Sequence, residues 1–349
     1  MESERQFLLS RIPEPLIAWY LATARQLPWR ENRNPYRIWI SEIMLQQTRV
    51  AAVIPYFLRF MERLPTVQAL ADAPEEELLK LWEGLGYYSR ARNLQNAARV
   101  ICEKFGGVFP TRHEDILSLP GIGPYTAGAI ASIAFGQPTP AVDGNVLRVV
   151  SRLTAWDADL SKETEKKKIT ELLSAVYPAG RCGEFTQALM ELGATVCAPN
   201  SAPDCPVCPL RLLCMAERNG TWDKYPVIPP KKPRRIEKKT VLILRCGERV
   251  AVHKRTPGGL LGGLWEFPNA EGHLSPEEVA AWCTERELTA KAITEGTPRK
   301  HIFTHIEWHM TCYRVTCPTP AGDFTWATFA QLENEISLPT AFRKFIEEL

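Results

Sequence analysis

The stretch that most constrains this chain runs from Leu119 to Asn145, LPGIGPYTAGAIASIAFGQPTPAVDGN. Its opening turn, Leu119-Pro120-Gly121-Ile122-Gly123-Pro124-Tyr125, lies between the end of one helical pattern and the start of another at Thr126–Ala134, so two helices are joined as a hairpin. Gly121 and Gly123 leave room for a sharp bend and turn backbone N–H groups toward the N-terminus of the second helix, a ready seat for a phosphate. Further on, Val142-Asp143-Gly144-Asn145 sets one aspartate ahead of a further helical run, Val146–Leu153. An aspartate at a helix N-cap is expected to stay ionised.

The 349 residues, 45% hydrophobic and 23% charged, suffice for two or three globular domains. A net charge of +2 does not by itself advertise nucleic acid, so any basic surface must be local. The start, Met-Glu-Ser-Glu-Arg, lacks a cationic region followed by an apolar run, and no segment reads as membrane-spanning. A soluble, cytoplasmic monomer is expected.

Before the hairpin the chain reads as helices: residues 5–27, interrupted by Pro13 and Pro15, then 36–50, 51–64, 74–82 and 91–105. The second is apolar around nearly its whole circumference, through Ile38, Trp39, Ile40, Ile43, Met44 and Leu45, and should be buried. It carries Glu42. Desolvation there should raise the carboxyl pKa, which suits a general acid, although a core glutamate satisfied by a backbone or arginine partner fits the same segment. Gly84-Leu85-Gly86-Tyr87-Tyr88-Ser89-Arg90 sets adjacent aromatics beside arginines. They either wedge into a base stack or pack a helix corner.

Helices at 163–176 and 185–196 follow, and directly after them come four of the ten cysteines, Cys197, Cys205, Cys208 and Cys214, in a C-x7-C-x2-C-x5-C pattern. Without a secretory signal this grouping reads as a metal site, zinc or iron-sulfur by ligand type alone. Residues 227–239, rich in Pro, Lys and Arg, read as a stiff basic linker. Beyond it, strand-like runs at 240–244, 249–253 and 311–315, with helix-like segments at 276–286 and 340–348, indicate an α+β domain.

The glycine hairpin, the following aspartate and the four cysteines together resemble the helix-hairpin-helix DNA glycosylases. Within them, Ser41-Glu42-Ile43-Met44-Leu45-Gln46-Gln47-Thr48, Trp82–Arg90 and Ala141–Val146 are similar to the adenine DNA glycosylases (MutY family), which remove adenine mispaired with 8-oxoguanine. The resemblance covers nearly the whole chain. It implies an all-α helix-hairpin-helix glycosylase domain with a 4Fe-4S cluster at 1–226, comprising a six-helix module over about 30–137 and an iron-sulfur module from 1–29 plus 138–226. An α+β Nudix-like lesion-recognition domain would occupy 240–349.

It also implies roles. Cys197, Cys205, Cys208 and Cys214 match the cluster ligands, with a first gap, Ala198–Asp204, one residue longer than the family pattern. Glu42 would protonate adenine N7, Asp143 would stabilise the oxocarbenium-like sugar, and Tyr125 and Asn145 would line the catalytic pocket. Arg30 and Gln187 would hold a flipped adenine, Gln47, Thr48 and Tyr87 would wedge around the lesion, and Gly121 and Gly123 would seat the DNA backbone of a duplex carrying 8-oxoguanine opposite adenine. Tyr125 stands where endonuclease III-type enzymes carry a Schiff-base lysine, so a monofunctional glycosylase is implied. Phe303-Thr304-His305 matches a Phe-Ser-His loop that recognises 8-oxoguanine, and the Arg-Glu plus Glu-Glu cluster that binds magnesium in active Nudix enzymes is not matched in its order and spacing across Ser275–Leu288. Two other readings compete: a thymine or uracil mismatch glycosylase, and a lesion-binding protein without catalysis.

Overall fold

The computed structural model describes residues 2–199, 201–230 and 232–349. The chain divides into two compact units, Met1–Asp72 with Arg92–Pro230, and Ala73–Ala91 with Lys231–Leu349. Its helices are α1 Glu2–Ser10, α2 Pro13–Thr23, α3 Pro35–Leu45, α4 Val50–Arg63, α5 Val67–Asp72, α6 Glu75–Leu81, α7 Ser89–Phe105, α8 His113–Leu117, α9 Pro124–Phe135, α10 Gly144–Leu153, α11 Glu163–Ser174, α12 Cys182–Thr195 and α13 Met215–Arg218, followed later by α14 Pro276–Thr284, α15 Phe329–Asn334 and α16 Thr340–Arg343.

In the helical unit the prolines decide several boundaries. The helical stretch read over 5–27 with an interruption at Pro13 is two helices, because Pro13 supplies the first residue of α2 and cannot donate a bond to α1. Helix α3 begins where Asn34 accepts the N–H groups of Tyr36 and Arg37, with Pro35 at its first position. It is buried on all sides, as Ile38, Trp39, Ile40 and Met44 show. The core of this unit joins Leu9, Ile12, Leu16, Val149, Phe185 and Leu189 from four helices. Each such side chain contributes roughly 1.5–3 kcal/mol on leaving water.

The glycine turn joins α8 to α9 as expected. Gly121 has φ +74°, and a Cβ there would lie 2.5 Å from Asn93 Cβ, so no other residue fits without a shift. Gly123 differs from the expectation: its φ is an ordinary −94° at the N-cap of α9, and a Cβ would meet open space. Its freedom is not needed for the bend. Inside α9, a Cβ on Gly128 would lie 2.2 Å from the Pro140 carbonyl oxygen, so the bare helix face lets the chain entering Asp143 lie directly across it.

The second unit holds an eight-stranded sheet in the order β3-β2-β1-β7-β5, with β4 also on β1, β6 on β7 and β8 on β2. The strands are β1 Arg235–Cys246, β2 Arg249–Lys254, β3 Trp265–Glu266, β4 Asn269–Glu271, β5 Ala292–Glu295, β6 Arg299–Ile302, β7 Ile306–Thr316 and β8 Thr325–Thr328. β1 and β7 run parallel from Arg235↔Ile306 to Arg245↔Thr316, while the other pairs are antiparallel. Alternate residues of β1 feed two cores, Val241 and Ile243 toward Trp308 and Phe342 on one face, Leu242 and Leu244 toward Val279 and Cys283 on the other.

Two boundaries read from sequence shift. The basic stretch read as linker to residue 239 is already strand from Arg235, because parallel pairing with β7 satisfies a backbone whose side chains are charged. Residues 73–91, read as part of the helical domain, group with the second unit. The reason is polar. Glu83, 7% exposed, accepts the Leu338 N–H at 2.8 Å and Arg343 Nη1 at 2.6 Å. Lys80 Nζ donates to the Leu332 and Ile336 carbonyls, and Ser337 Oγ to that of Leu79. The helix expected at 340–348 is broken into α16 and a 3-10 turn at Ile346–Glu348.

Candidate active site

The helical unit encloses a cavity of about 600 Å3, and its lining includes Glu42, Tyr125, Asp143, Asn145, Arg30 and Gln187, with Gln47 and Thr48 also on its wall. Residues separated by up to 157 positions in sequence thus meet around one void large enough for a small ring system.

Glu42 projects from the middle of α3 and is 6% exposed. Tyr125, at the start of α9, donates its hydroxyl to Glu42 Oε2 at 2.5 Å. Burial pushes the Glu42 carboxyl up to about 7, and the nearby Asp143 pushes the same way, against the Tyr125 hydrogen bond and the Arg30 charge. Burial is also the main cause that lifts the Tyr125 phenol well above its ordinary value, so it stays a neutral donor. The partner that a core glutamate would need is therefore a phenol at the cavity wall.

Asp143 is the N-cap of α10 as expected. Its Oδ1 accepts the Val146 N–H at 2.8 Å, and Asn145 Nδ2 donates to Oδ2 at 2.7 Å. Its pKa is raised, because burial outweighs the N-cap bond, the Asn145 amide and the Arg148 charge. Arg148, one turn along α10, reaches Asn145 Oδ1 and the Gly193 carbonyl at 2.8 Å each through Nη2, and the Cys197 carbonyl at 2.8 Å through Nε. Sequence reasoning did not single out this arginine. One side chain therefore ties the carboxylate's neighbour to the first cysteine.

Arg30 closes a 3-10 turn, Pro28–Arg30, and lies over the Tyr20 ring. It is held from behind by Glu191 on α12, which is 2% exposed and which also went unnoticed in the sequence. Gln187, one turn earlier on α12, bonds the Gly183 carbonyl through Nε2. Gln47, just past α3, has φ +59°, and Tyr87 in the second unit has φ +48°. Non-glycine residues in that region carry roughly 1–3 kcal/mol of backbone strain and cluster at sites where a side chain must be presented. Both are exposed, whereas Tyr88 is buried, so the tyrosine pair divides between presentation and packing.

Cys197, Cys205, Cys208 and Cys214 line a small cavity with Arg152 and Trp222. Among the described residues no three His, Cys, Asp or Glu side chains form a set that could hold a single metal ion. Burial pushes the Cys208 thiol up to about 12 and raises Cys205 and Cys214 as well, and the four groups repel one another as thiolates. A soft-ligand set gathered around a common void, with Arg152 Nη1 donating to Cys197 Sγ at 3.3 Å, fits a cationic cluster with several metal atoms. The longer first gap folds back through the Asp204 N–H on the Val196 carbonyl, while Asn200 within it lies outside the described residues.

In the second unit, Phe303-Thr304-His305 forms the turn between β6 and β7. Phe303 packs edge-on against His301 and Trp308, leaving Thr304 and His305 exposed. The Thr304 and Tyr87 hydroxyls are 2.9 Å apart, so two site residues 217 positions apart in sequence meet. In α14, Glu278 completes a capping box with Ser275, and Glu266 pairs with His253 and Arg255.

The sequence matches the HhH-GPD superfamily of base excision DNA repair proteins over residues 40–175 and the NUDIX domain over 240–348. It is 35% identical to an adenine DNA glycosylase of Mus musculus, over 95% of this chain and 77% of that protein. It is 34% identical to an adenine DNA glycosylase of Buchnera aphidicola subsp. Acyrthosiphon pisum, over 95% of both chains. The chain belongs to the adenine DNA glycosylase family. It is a DNA N-glycosylase with a helix-hairpin-helix domain and a Nudix domain. Its helical part is also similar in structure to a thermostable thymine-DNA glycosylase, at 29% identity and a TM-score of 0.54, and to an endonuclease III in a trapped covalent DNA complex, at 26% and 0.52. The two matches cover 62% and 63% of this chain and 98% of each of those chains. Among the described residues no helix is long and apolar enough to cross a membrane.

Proposed function

We propose that this protein removes adenine mispaired with 8-oxoguanine, or with guanine, by flipping the adenine into the cavity around Glu42 and hydrolysing its N-glycosidic bond without a covalent intermediate. The observation that carries this reading is the meeting of Glu42, Tyr125 and Asp143 on one cavity wall, with the Tyr125 hydroxyl 2.5 Å from the Glu42 carboxylate. Glu42, held near neutrality, donates a proton to N7 of the base and makes adenine a better leaving group. Asp143 in its ionised form, supported by two hydrogen bonds and the Arg148 charge, stabilises the cationic sugar until water adds. Arg30 and Gln187 bond the flipped base. Tyr125 cannot form a Schiff base, which supports a monofunctional enzyme.

Gln47, Thr48 and Tyr87 fill the space vacated in the stack. Gly121 and Gly123 bring the backbone amides at the start of α9 close to a phosphate. Phe303, Thr304 and His305 read the 8-oxoguanine side, supported by the exposed Thr304 hydroxyl beside Tyr87 and the exposed His305. Cys197, Cys205, Cys208 and Cys214 hold a 4Fe-4S cluster, which when bound neutralises the thiolates and fixes the loop against Arg152 and, through Cys197, Arg148. The helical module about 30–137, the iron-sulfur module and the Nudix-like domain act on duplex DNA as a monomer.

Single-turnover base release from duplexes with adenine opposite 8-oxoguanine or guanine, and with thymine or uracil opposite guanine, tests the reading. Release of adenine alone, with no adduct trapped by borohydride, is expected. Release of thymine or uracil, tight binding without release, or strong trapping would overturn it.

A further inference from the structure

Glu191 is a carboxylate to which neither the fold nor the proposed chemistry assigns a task. It sits on α12 between Met190 and Leu192, its side chain only 2% exposed. A buried carboxylate must be paired, and this one accepts four hydrogen bonds, one of them from the Arg25 backbone N–H at 3.3 Å. Oε1 accepts from Arg25 Nε at 2.6 Å, while Oε2 accepts from Arg25 Nη2 and Arg30 Nη2 at 2.8 Å each. Arg30 then uses Nη1 on the Arg25 carbonyl at 3.2 Å and stacks over Tyr20. All three members of the cluster line the cavity that holds Glu42.

We propose that Glu191 is a positioning residue for excision: it fixes the Arg30 guanidinium at the base-holding wall and offsets part of the positive charge that acts on Glu42. The inference rests on the adenine reading of the cavity. The Arg30 guanidinium beside a general acid that must stay protonated favours its ionised form, and the buried carboxylate paired with that guanidinium offsets its charge. The groups facing Glu42 are Tyr125 from α9, Asp143 at the start of α10 and Arg30 from the 3-10 turn. Those facing Glu191 are Arg25, Arg30 and the Tyr20 phenol on α2. Glu191 itself is held ionised at about 2 by the two arginines, which overcome its burial, so it stays anionic throughout the working pH range.

The test compares wild type, Glu191→Gln, Glu191→Asp, Arg30→Gln and the double variant Glu191→Gln/Arg30→Gln as full-length proteins. Single-turnover adenine release is measured from pH 5.5 to 9, beside duplex Kd and the visible absorption of the purified protein. For Glu191→Gln the alkaline limb of the rate profile should move about one unit toward acid, so that release falls about tenfold at pH 8 and less than about threefold at pH 6, with duplex Kd within about threefold of wild type. Glu191→Asp, which keeps the charge, should restore the limb. In the Arg30→Gln background, Glu191→Gln should no longer move it. If Glu191→Gln does not fold, Arg25→Gln decides: with one positive charge fewer against Glu191 the alkaline limb should move toward higher pH, and an unmoved limb contradicts the proposal. A rate loss equal at every pH and in both Arg30 backgrounds would show mere structural support and overturn the inference, while adenine release by wild type kept the functional reading standing. Failure of wild type to release adenine from any duplex would overturn both.

Discussion

The cavity around Glu42 and the turn at Phe303–His305 solve opposite problems. In the first, the central polar groups are buried or half-buried and answered: Glu42 by Tyr125, Asp143 by Val146 and Asn145, Asn145 by Arg148, and Arg30 by Glu191. In the second, Thr304 and His305 stand in solvent, with the Thr304 hydroxyl against that of Tyr87. Burial is what lifts Glu42 toward neutrality, and it acts only where water is excluded. Recognition of a base within a duplex instead needs donors that can be re-aimed, and exposed hydroxyls provide them at little conformational cost. In the function we propose, chemistry lies where the fold is stiff, and reading where the side chains stand exposed.

That contrast sets the size of each expected effect. Glu42→Gln keeps the volume and removes the proton, and adenine release should fall by about 10^2–10^4 in single-turnover assays. Arg148→Gln leaves the Gly193 and Cys197 carbonyls short of a buried donor and frees Asn145, so release should fall about 10–100-fold with a lower Tm. A Tm at wild-type level would show that α10 holds Asp143 without it.

A third expectation concerns stability. The folded Glu42 carboxyl titrates near 7 against an ordinary 4.5, so the folded state binds its proton more tightly than the unfolded chain. Its contribution is complete below about 4.5 and lost as pH rises to about 7, leaving a penalty on the order of 1–3 kcal/mol above that. Glu42→Gln should therefore raise Tm at pH 8 and leave it unchanged at pH 4.5, read by thermal melts at both values. At the exposed turn, Thr304→Val should alter release of adenine opposite 8-oxoguanine by less than about tenfold and leave Tm unchanged, since a lone exposed hydroxyl pair stabilises little. A loss there as large as that of Glu42→Gln would erase the contrast.

Local chemistry was legible in the sequence. The glycine turn, the Asp143 N-cap and the apolar surroundings of Glu42 each involve neighbours within a few residues, and the structure has all three. The cysteine spacing likewise pointed to one loop. Long-range pairing was not legible. Glu191 carries the same signal as Glu42, a carboxylate within an apolar helical run, but its partners lie 161 and 166 positions away. Residues 73–91 look like ordinary helix and turn, and the groups that tie them to the second unit, among them the acceptors at Leu332 and Ile336 and the donors at Leu338 and Arg343, lie 252 to 260 positions away. The Asp143 N-cap is visible in sequence, whereas the burial that raises its pKa is not. Five residues of β1 were hidden by their charge, since pairing with β7 depends on backbone rather than on side chains.

The most direct test of Glu42 as a proton donor is the pH dependence of single-turnover adenine release from an 8-oxoguanine:adenine duplex. The wild-type rate should fall about tenfold per unit once pH exceeds about 7, and this limb should vanish together with most of the activity in Glu42→Gln. A wild-type rate that stays level from pH 6 to 9, or a Glu42→Gln variant that releases adenine at the wild-type rate, would contradict the account.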